Sequence, residues 1–161
     1  MSNYYDEITN KKEWDAEADI LLTKNDFSEE FIAEFHSNWT VRGHRIREQI
    51  NNDKKLAKLL EHIFPPYVGD EKTLYRGENK EKWEQNKVGF CWTTNKDTAE
   101  MFASGLNAIN SGGLLLKCKC KPEWIIIGPS PHSNYLGESE YTVNPGLIAG
   151  VQILLEYDPV E

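Results

Sequence analysis

Apolar residues recur at helical spacing through the first part of the chain and in short runs through the rest, with the change at Pro65 and Pro66. Phe27, Phe31, Ile32 and Phe35 mark one amphipathic segment, Ile46 and Ile50 a second, and Leu56, Leu59, Leu60 and Ile63 a third. Each predicts a helix with a physical start signal. Asp26 and Glu29 have capping-box spacing, Ser28 offers an alternative cap, and Asp53 can cap the third segment. The stretch around Trp14, Ile20 and Leu21 predicts a further helix.

Beyond the prolines the runs are bounded by Gly, Asn and Pro, and they predict strands at Lys72 to Arg76, Gly89 to Thr93, Leu114 to Lys121, Trp124 to Ile127, Ser139 to Val143 and Ile148 to Tyr157. In the third run Lys117, Lys119 and Lys121 alternate with Leu116, Cys118 and Cys120, as in a sheet with one wet face. Asp97 to Ser104 reads as a short helix, capped by Asn95 or Thr94, with Ala99, Phe102 and Ala103 on one side. Helices first and a mostly antiparallel sheet afterwards predict an α+β fold. One domain over 1–161 is expected, with a helical part at 1–66 and a β-rich part at 67–161.

Charge and cysteine usage narrow the function classes. The chain has 18 Lys and Arg against 26 Asp and Glu, a net charge of -8, so its long-range field repels phosphate backbones. Its apolar runs fall short of the roughly 18 residues of a spanning helix, and the polar, acidic start lacks the cationic and apolar regions of a leader. A cytoplasmic protein that does not use membranes is expected. Cys118 and Cys120 stand two apart in a predicted strand, where they share a face and do not readily bridge, and the three cysteines lack the paired spacing of a zinc site. The histidines have no ligand spacing either, so no metal is expected. His44 with Arg42, Arg45 and Arg47 reads as a charged helix surface.

Three segments put polar groups where a strand ends or turns. Leu74-Tyr75-Arg76-Gly77-Glu78 has an arginine followed by a glycine whose bare backbone admits close approach. Alone, such an arginine reads as a surface ion pair. Phe90-Cys91-Trp92-Thr93-Thr94-Asn95 turns from a strand through two hydroxyls into the helix containing Ala99 and Phe102, which alone reads as an N-cap. Leu136-Gly137-Glu138-Ser139-Glu140-Tyr141-Thr142-Val143 has two carboxylates two residues apart at a strand entry, which alone reads as a solvated edge.

In this order the three segments resemble the ADP-ribosyltransferase family of the Arg, Ser-Thr-Ser, Glu-x-Glu class, over about Leu74 to Val143. The resemblance implies a split, mostly antiparallel sheet with a central cleft for NAD, and N-terminal helices packed on it. It makes Arg76 the holder of the NAD phosphates, with Tyr75, Gly77, Trp92, Thr93, Thr94 and Phe102 completing the cofactor site. Glu140 becomes the catalytic carboxylate beside the ribose, and Glu138 the residue that meets the acceptor. Trp92 stands where the family has its first serine, so the bond that orients the catalytic glutamate falls to Thr93 or Thr94.

The chemistry accounts for these residue types. Cleaving nicotinamide from ribose develops positive charge on the sugar, which a neighbouring carboxylate stabilises. A guanidinium fork fits phosphate oxygens. On an extended segment Glu138 faces the same way as Glu140, and a carboxylate there can pair with an incoming guanidinium and take its proton. Family members with glutamate at that place often modify arginine.

The sequence has no GxGxxG or GxxxxGK[ST], so NAD is expected as a substrate in a cleft of the sheet. The connection Ser104 to Gly113 reads either as a loop over the cofactor phosphates or as a plain surface loop. The expected acceptor is a protein side chain, arginine favoured, and the resemblance extends by analogy to small effectors of phage and bacterial conflict. Two other readings stay open: a nucleic-acid-modifying enzyme of the same fold that uses Arg42 to Arg47 as a patch, and a binding protein without turnover.

Overall fold

The computed structural model describes residues 3–130 and 139–160. The described residues form two compact units, 3–66 with Ser130, and 67–129 with 139–160. The fold class is α+β.

Among the described residues the first unit contains four helices: α1 (Tyr4–Lys11), α2 (Trp14–Leu22), α3 (Glu29–Ile50) and α4 (Asp53–Ile63). The segments expected around Phe27 to Phe35 and around Ile46 lie on either side of a kink in α3 at Arg42, whose dihedrals are not helical (φ -125°, ψ 21°). Ser28, rather than Asp26, caps α3 by accepting from the Phe31 amide at 3.0 Å. Asn52, rather than Asp53, caps α4 by accepting from the Lys55 amide at 3.1 Å. Asp26 is left-handed (φ 58°) and belongs to the turn, while Asp53 is the first helical residue, where its charge favours the helix N-terminus.

Trp14, Ala18, Phe35, Ile46, Leu56, Leu59 and Leu60 are buried and form the centre of this unit. The Trp14 indole N–H donates to the buried Thr9 hydroxyl at 2.9 Å, and that hydroxyl donates to the Tyr5 carbonyl at 2.7 Å. Gln49 on α3 joins the same place: its Oε1 accepts from the Trp14 amide at 3.3 Å and its Nε2 donates to the Thr9 carbonyl at 3.0 Å. The break between α1 and α2 is therefore tied to α3 by hydrogen bonds. Ser130 belongs to this unit through a hydroxyl pair with Thr40 at 2.9 Å.

The second unit holds a six-stranded sheet made of β1 (Lys72–Asn79), β2 (Cys91–Thr93), β3 (Gly113–Cys120), β4 (Ile125–Ile127), β5 (Glu140–Val143) and β6 (Gln152–Tyr157). The strand order is β4-β5-β2-β1-β3-β6, and every strand pairing is antiparallel. The helices α5 (Lys80–Glu84) and α6 (Lys96–Ser104) and two short 3-10 turns, Leu106–Ala108 and Pro122–Trp124, belong to the same unit. β1 continues three residues past the expected end at Arg76, because Gly77, Glu78 and Asn79 stay in register with Leu115, Leu114 and Gly113. β6 begins at Gln152 instead of Ile148: Gly150 has φ +69°, which breaks the extended run, and Ile148 and Val151 pack on the core. α5 was not expected from periodicity. Asn79 starts it by accepting from the amides of Glu81 and Lys82.

Leu74, Trp92, Leu114, Leu116, Cys118, Cys120, Ile125 and Val143 form the core on one sheet face. Ala99 and Ala103 of α6 with Leu115 form a smaller core on the other. The helix sits close because its partners lack side chains. A Cβ on Gly77 would lie 2.4 Å from the Ala103 nitrogen, and one on Gly113 1.7 Å from the Ala103 oxygen. Since α6 covers Leu115, β3 has a wet face only from Lys117 onward. All three cysteines are unbridged. No helix among the described residues is long and apolar enough to cross a membrane.

Trp14→Ala removes a large buried ring and the indole N–H that the Thr9 hydroxyl accepts, so it should cost about 3 to 5 kcal/mol. Urea unfolding followed by circular dichroism checks this, and a loss under about 1 kcal/mol would show that the first unit does not depend on the indole.

Candidate functional site

The sheet brings parts of all three sequence segments to one place. Tyr75 of β1 is in register with Thr93 of β2, and Thr93 is in register with Glu140 of β5. Residues directly opposite in antiparallel strands share a face, so these three form a row across adjacent strands. On the far side of β1 the row continues to Lys117 of β3, opposite Tyr75. Thr93 is buried, and its hydroxyl accepts from the Asn95 amide at 3.0 Å, which shapes the turn into α6. Asn95 then caps α6 by accepting from the Thr98 amide at 3.2 Å. Thr94 is exposed, so of the two hydroxyls proposed to orient Glu140 it is Thr93 that stands opposite it.

Arg76 alternates to the other face of β1, together with Leu74 and Glu78. Extending the registers across the sheet sets it alongside Trp92 and Tyr141 rather than with Glu140. Here β1 and β2 are paired through Tyr75 and Thr93 alone, and side chains carry the junction onward. The Arg76 Nε–H donates to Glu78 Oε2 at 2.8 Å and an Nη1–H donates to the Cys91 carbonyl at 2.7 Å. Glu78 is 3% exposed, and its carboxylate also accepts from the Asn79 amide at Oε1 and the Gly89 amide at Oε2, both at 2.8 Å. Gly89 leaves room for the guanidinium, since a Cβ there would lie 2.1 Å from Arg76 Nη2.

Electrostatics follow from this geometry. Burial works to raise the Glu78 pKa, but the charge and hydrogen bond of Arg76, aided by the Gly89 and Asn79 amides, outweigh it and hold the carboxyl below its usual range. Burial likewise works to lower the Arg76 pKa, and Glu78, with smaller contributions from Cys91 and Glu140, outweighs it and leaves the guanidinium firmly charged. Glu140 thus acts on Arg76 through its charge although the two lie on opposite faces.

The remaining expected site residues are placed as follows. Gly77 is bare because α6 packs on it, so the close approach there is made by the helix. Trp92 is buried in the larger core and its indole N–H donates to the Gly89 carbonyl at 3.0 Å, so it braces the turn before β2. Phe102 is half-buried on α6. Glu138 lies outside the described residues, while Ser139 just before Glu140 is left-handed (φ 45°). The connection after α6 is anchored: Asn107 Nδ2 donates to the Gly77 carbonyl at 2.6 Å, Asn79 Nδ2 donates to the carbonyls of Asn107 and Ile109, and the Ser111 hydroxyl donates to Asn79 Oδ1. Arg42 and Arg47 are ion-paired with Asp6 and Asp53. No group of three or more His, Cys, Asp or Glu among the described residues is arranged for a metal ion.

Glu78 and Gly89 escaped the sequence reading as members of the site. The i, i+2 spacing of Arg76 and Glu78 on a strand was a usable signal, because such residues share a face. Gly89 had none, because it meets them only through the fold.

A carboxyl whose folded pKa is depressed contributes stability above its unfolded value and loses it as pH falls through the folded one. The stability advantage of the parent over Glu78→Gln should therefore be full at pH 7 and shrink below about pH 4.3, the ordinary glutamate value. Thermal unfolding of both proteins from pH 7 downward measures it. An advantage that stays constant through the acid range would mean that the Glu78 charge contributes nothing.

No family model, curated protein or solved structure matches the chain.

Proposed function

We propose that the chain is a mono-ADP-ribosyltransferase that moves ADP-ribose from NAD to a protein side chain, arginine favoured, and releases nicotinamide. The observation that carries this reading is the row Tyr75–Thr93–Glu140 across β1, β2 and β5, with Arg76 next to Tyr75 at the junction of β1 and β2. Residues from three segments separated along the chain converge there.

In this reading Glu140 lies beside the nicotinamide ribose. The bond between the ribose carbon and the nicotinamide nitrogen breaks, its electron pair leaves with neutral nicotinamide, and the carboxylate stabilises the positive charge left on the sugar. Thr93 opposite Glu140 helps set the carboxylate. Arg76 contributes to the phosphates the N–H groups that Glu78 and Cys91 do not take, which are three of the five that a guanidinium carries. An acceptor guanidinium then attacks the ribose carbon, and Glu138 receives its proton. An effector of phage or bacterial conflict is the biological setting this chemistry suits.

A binding protein without turnover is the second reading. It is favoured by the Arg76–Glu78 pair, which already neutralises the guanidinium, and by the Trp92 indole, which donates to Gly89. Release of nicotinamide separates the two.

Incubation with NAD should yield nicotinamide slowly even with water as acceptor, and Glu140→Gln should abolish that release. Equal turnover by the variant would remove Glu140 from the chemistry, and NAD binding without any release by the parent would select the second reading. Arg76→Ala should weaken NAD binding by about 1.5 to 3 kcal/mol in calorimetric titration, as for a charge-assisted hydrogen bond. Glu138→Gln should lose most transfer to an arginine acceptor while it keeps part of the hydrolysis. Parallel loss of both activities would leave arginine specificity unsupported.

A further inference from the structure

The Arg76–Glu78 pair is built more fully than an incidental ion pair. A buried carboxylate costs free energy unless its lone pairs are used, and here Oε1 takes one amide while Oε2 takes the guanidinium and a second amide. The two amides come from different segments, Asn79 at the end of β1 and Gly89 in the turn before β2. Gly89 also presents a bare Cα to Arg76 Nη2, and the Cys91 carbonyl fixes Nη1. Each side of the guanidinium that faces the protein therefore has a defined neighbour. The Arg76 side chain is still 20% exposed.

We infer that Glu78 is a positioning residue: it fixes Arg76 through Nε, with Gly89 leaving the space, so that the remaining Nη hydrogens are held for the diphosphate of a nucleotide. This rests on the reading of Arg76 as a phosphate holder. Glu78 itself does not touch the ligand. A free arginine would lose side-chain freedom on gripping a phosphate, and a guanidinium already held by Glu78 and Cys91 has little left to lose. The pair also cancels net charge, so affinity depends on geometry more than on a bare cation.

The test is a double-mutant cycle on Arg76→Ala and Glu78→Gln, with NAD dissociation constants from calorimetry and inorganic pyrophosphate as a second probe. Glu78→Gln should weaken NAD binding about tenfold in the parent, within the range for coupled neighbours in one ion-pair network, and have no effect in the Arg76→Ala background. An equal loss in both backgrounds would make Glu78 merely structural and overturn the inference. Tighter binding would make it a competitor of the phosphate, with the same consequence.

Gly89→Ala keeps both charges and pushes the guanidinium aside, so it covers the case in which Glu78→Gln does not fold. It should weaken both NAD and pyrophosphate, and unchanged affinity for them would overturn the inference. Should Arg76→Ala bind NAD as the parent does, the reading of Arg76 itself fails. Loss with Arg76→Ala but none with Glu78→Gln sinks the positioning role alone.

Discussion

The second unit depends on how β1 is held to β2. One register pair, Tyr75 with Thr93, joins them, and the ion pair of Arg76 and Glu78 carries the junction further by reaching the Gly89 amide and the Cys91 carbonyl. A charge in this position is tolerated only because every partner is present: remove one and a buried charge is left uncompensated, which costs more than a lost surface bridge. The strands β4 and β5 reach β1 only by way of β2. A side-chain junction therefore sits in the middle of the sheet.

The second constraint is the close approach of α6. Gly77 and Gly113 have no side chains where Ala99 and Ala103 come down, so the helix rests on backbone and its first turn follows directly from Thr93. The connection behind α6 is stitched to β1 through Asn79, Asn107 and Ser111. A polar network of this kind satisfies the backbone groups of a stretch that lies in no sheet, and it holds that stretch in place. The turn through Thr93 and Asn95 is thereby framed on both sides.

Strand alternation divides the candidate chemistry. Tyr75, Thr93 and Glu140 share one face, while Arg76 belongs to the other with Trp92 and Tyr141. In the proposed reaction a nucleotide touching both Glu140 and Arg76 has to lie at the junction of β1 and β2, where side chains carry the connection. Trp92 has no part in orienting the carboxylate in that picture. It fills the core and braces Gly89, and Gly89 in turn bounds the guanidinium.

Local features were legible in the residues themselves. Helical spacing before Pro65, short runs after it and the alternation around Lys117 are set by neighbours a few positions away, so the α+β class, α2, α3, α4, α6 and the strand segments could be read directly. Ser28 and Asn95 stood among the alternative caps, and α1 and α5 were not read. Boundaries went wrong where a distant contact or a single dihedral decided them: β1 runs on because its last residues pair with β3, and β6 starts late because Gly150 turns the chain. The three chemical segments were visible as segments, but their alignment was not. Only the tertiary structure set Thr93 opposite Glu140, turned Arg76 to the other face, covered Gly77 with a helix and brought Gly89 to Glu78. Register and close approach depend on residues far apart in sequence, and no local pattern encodes them.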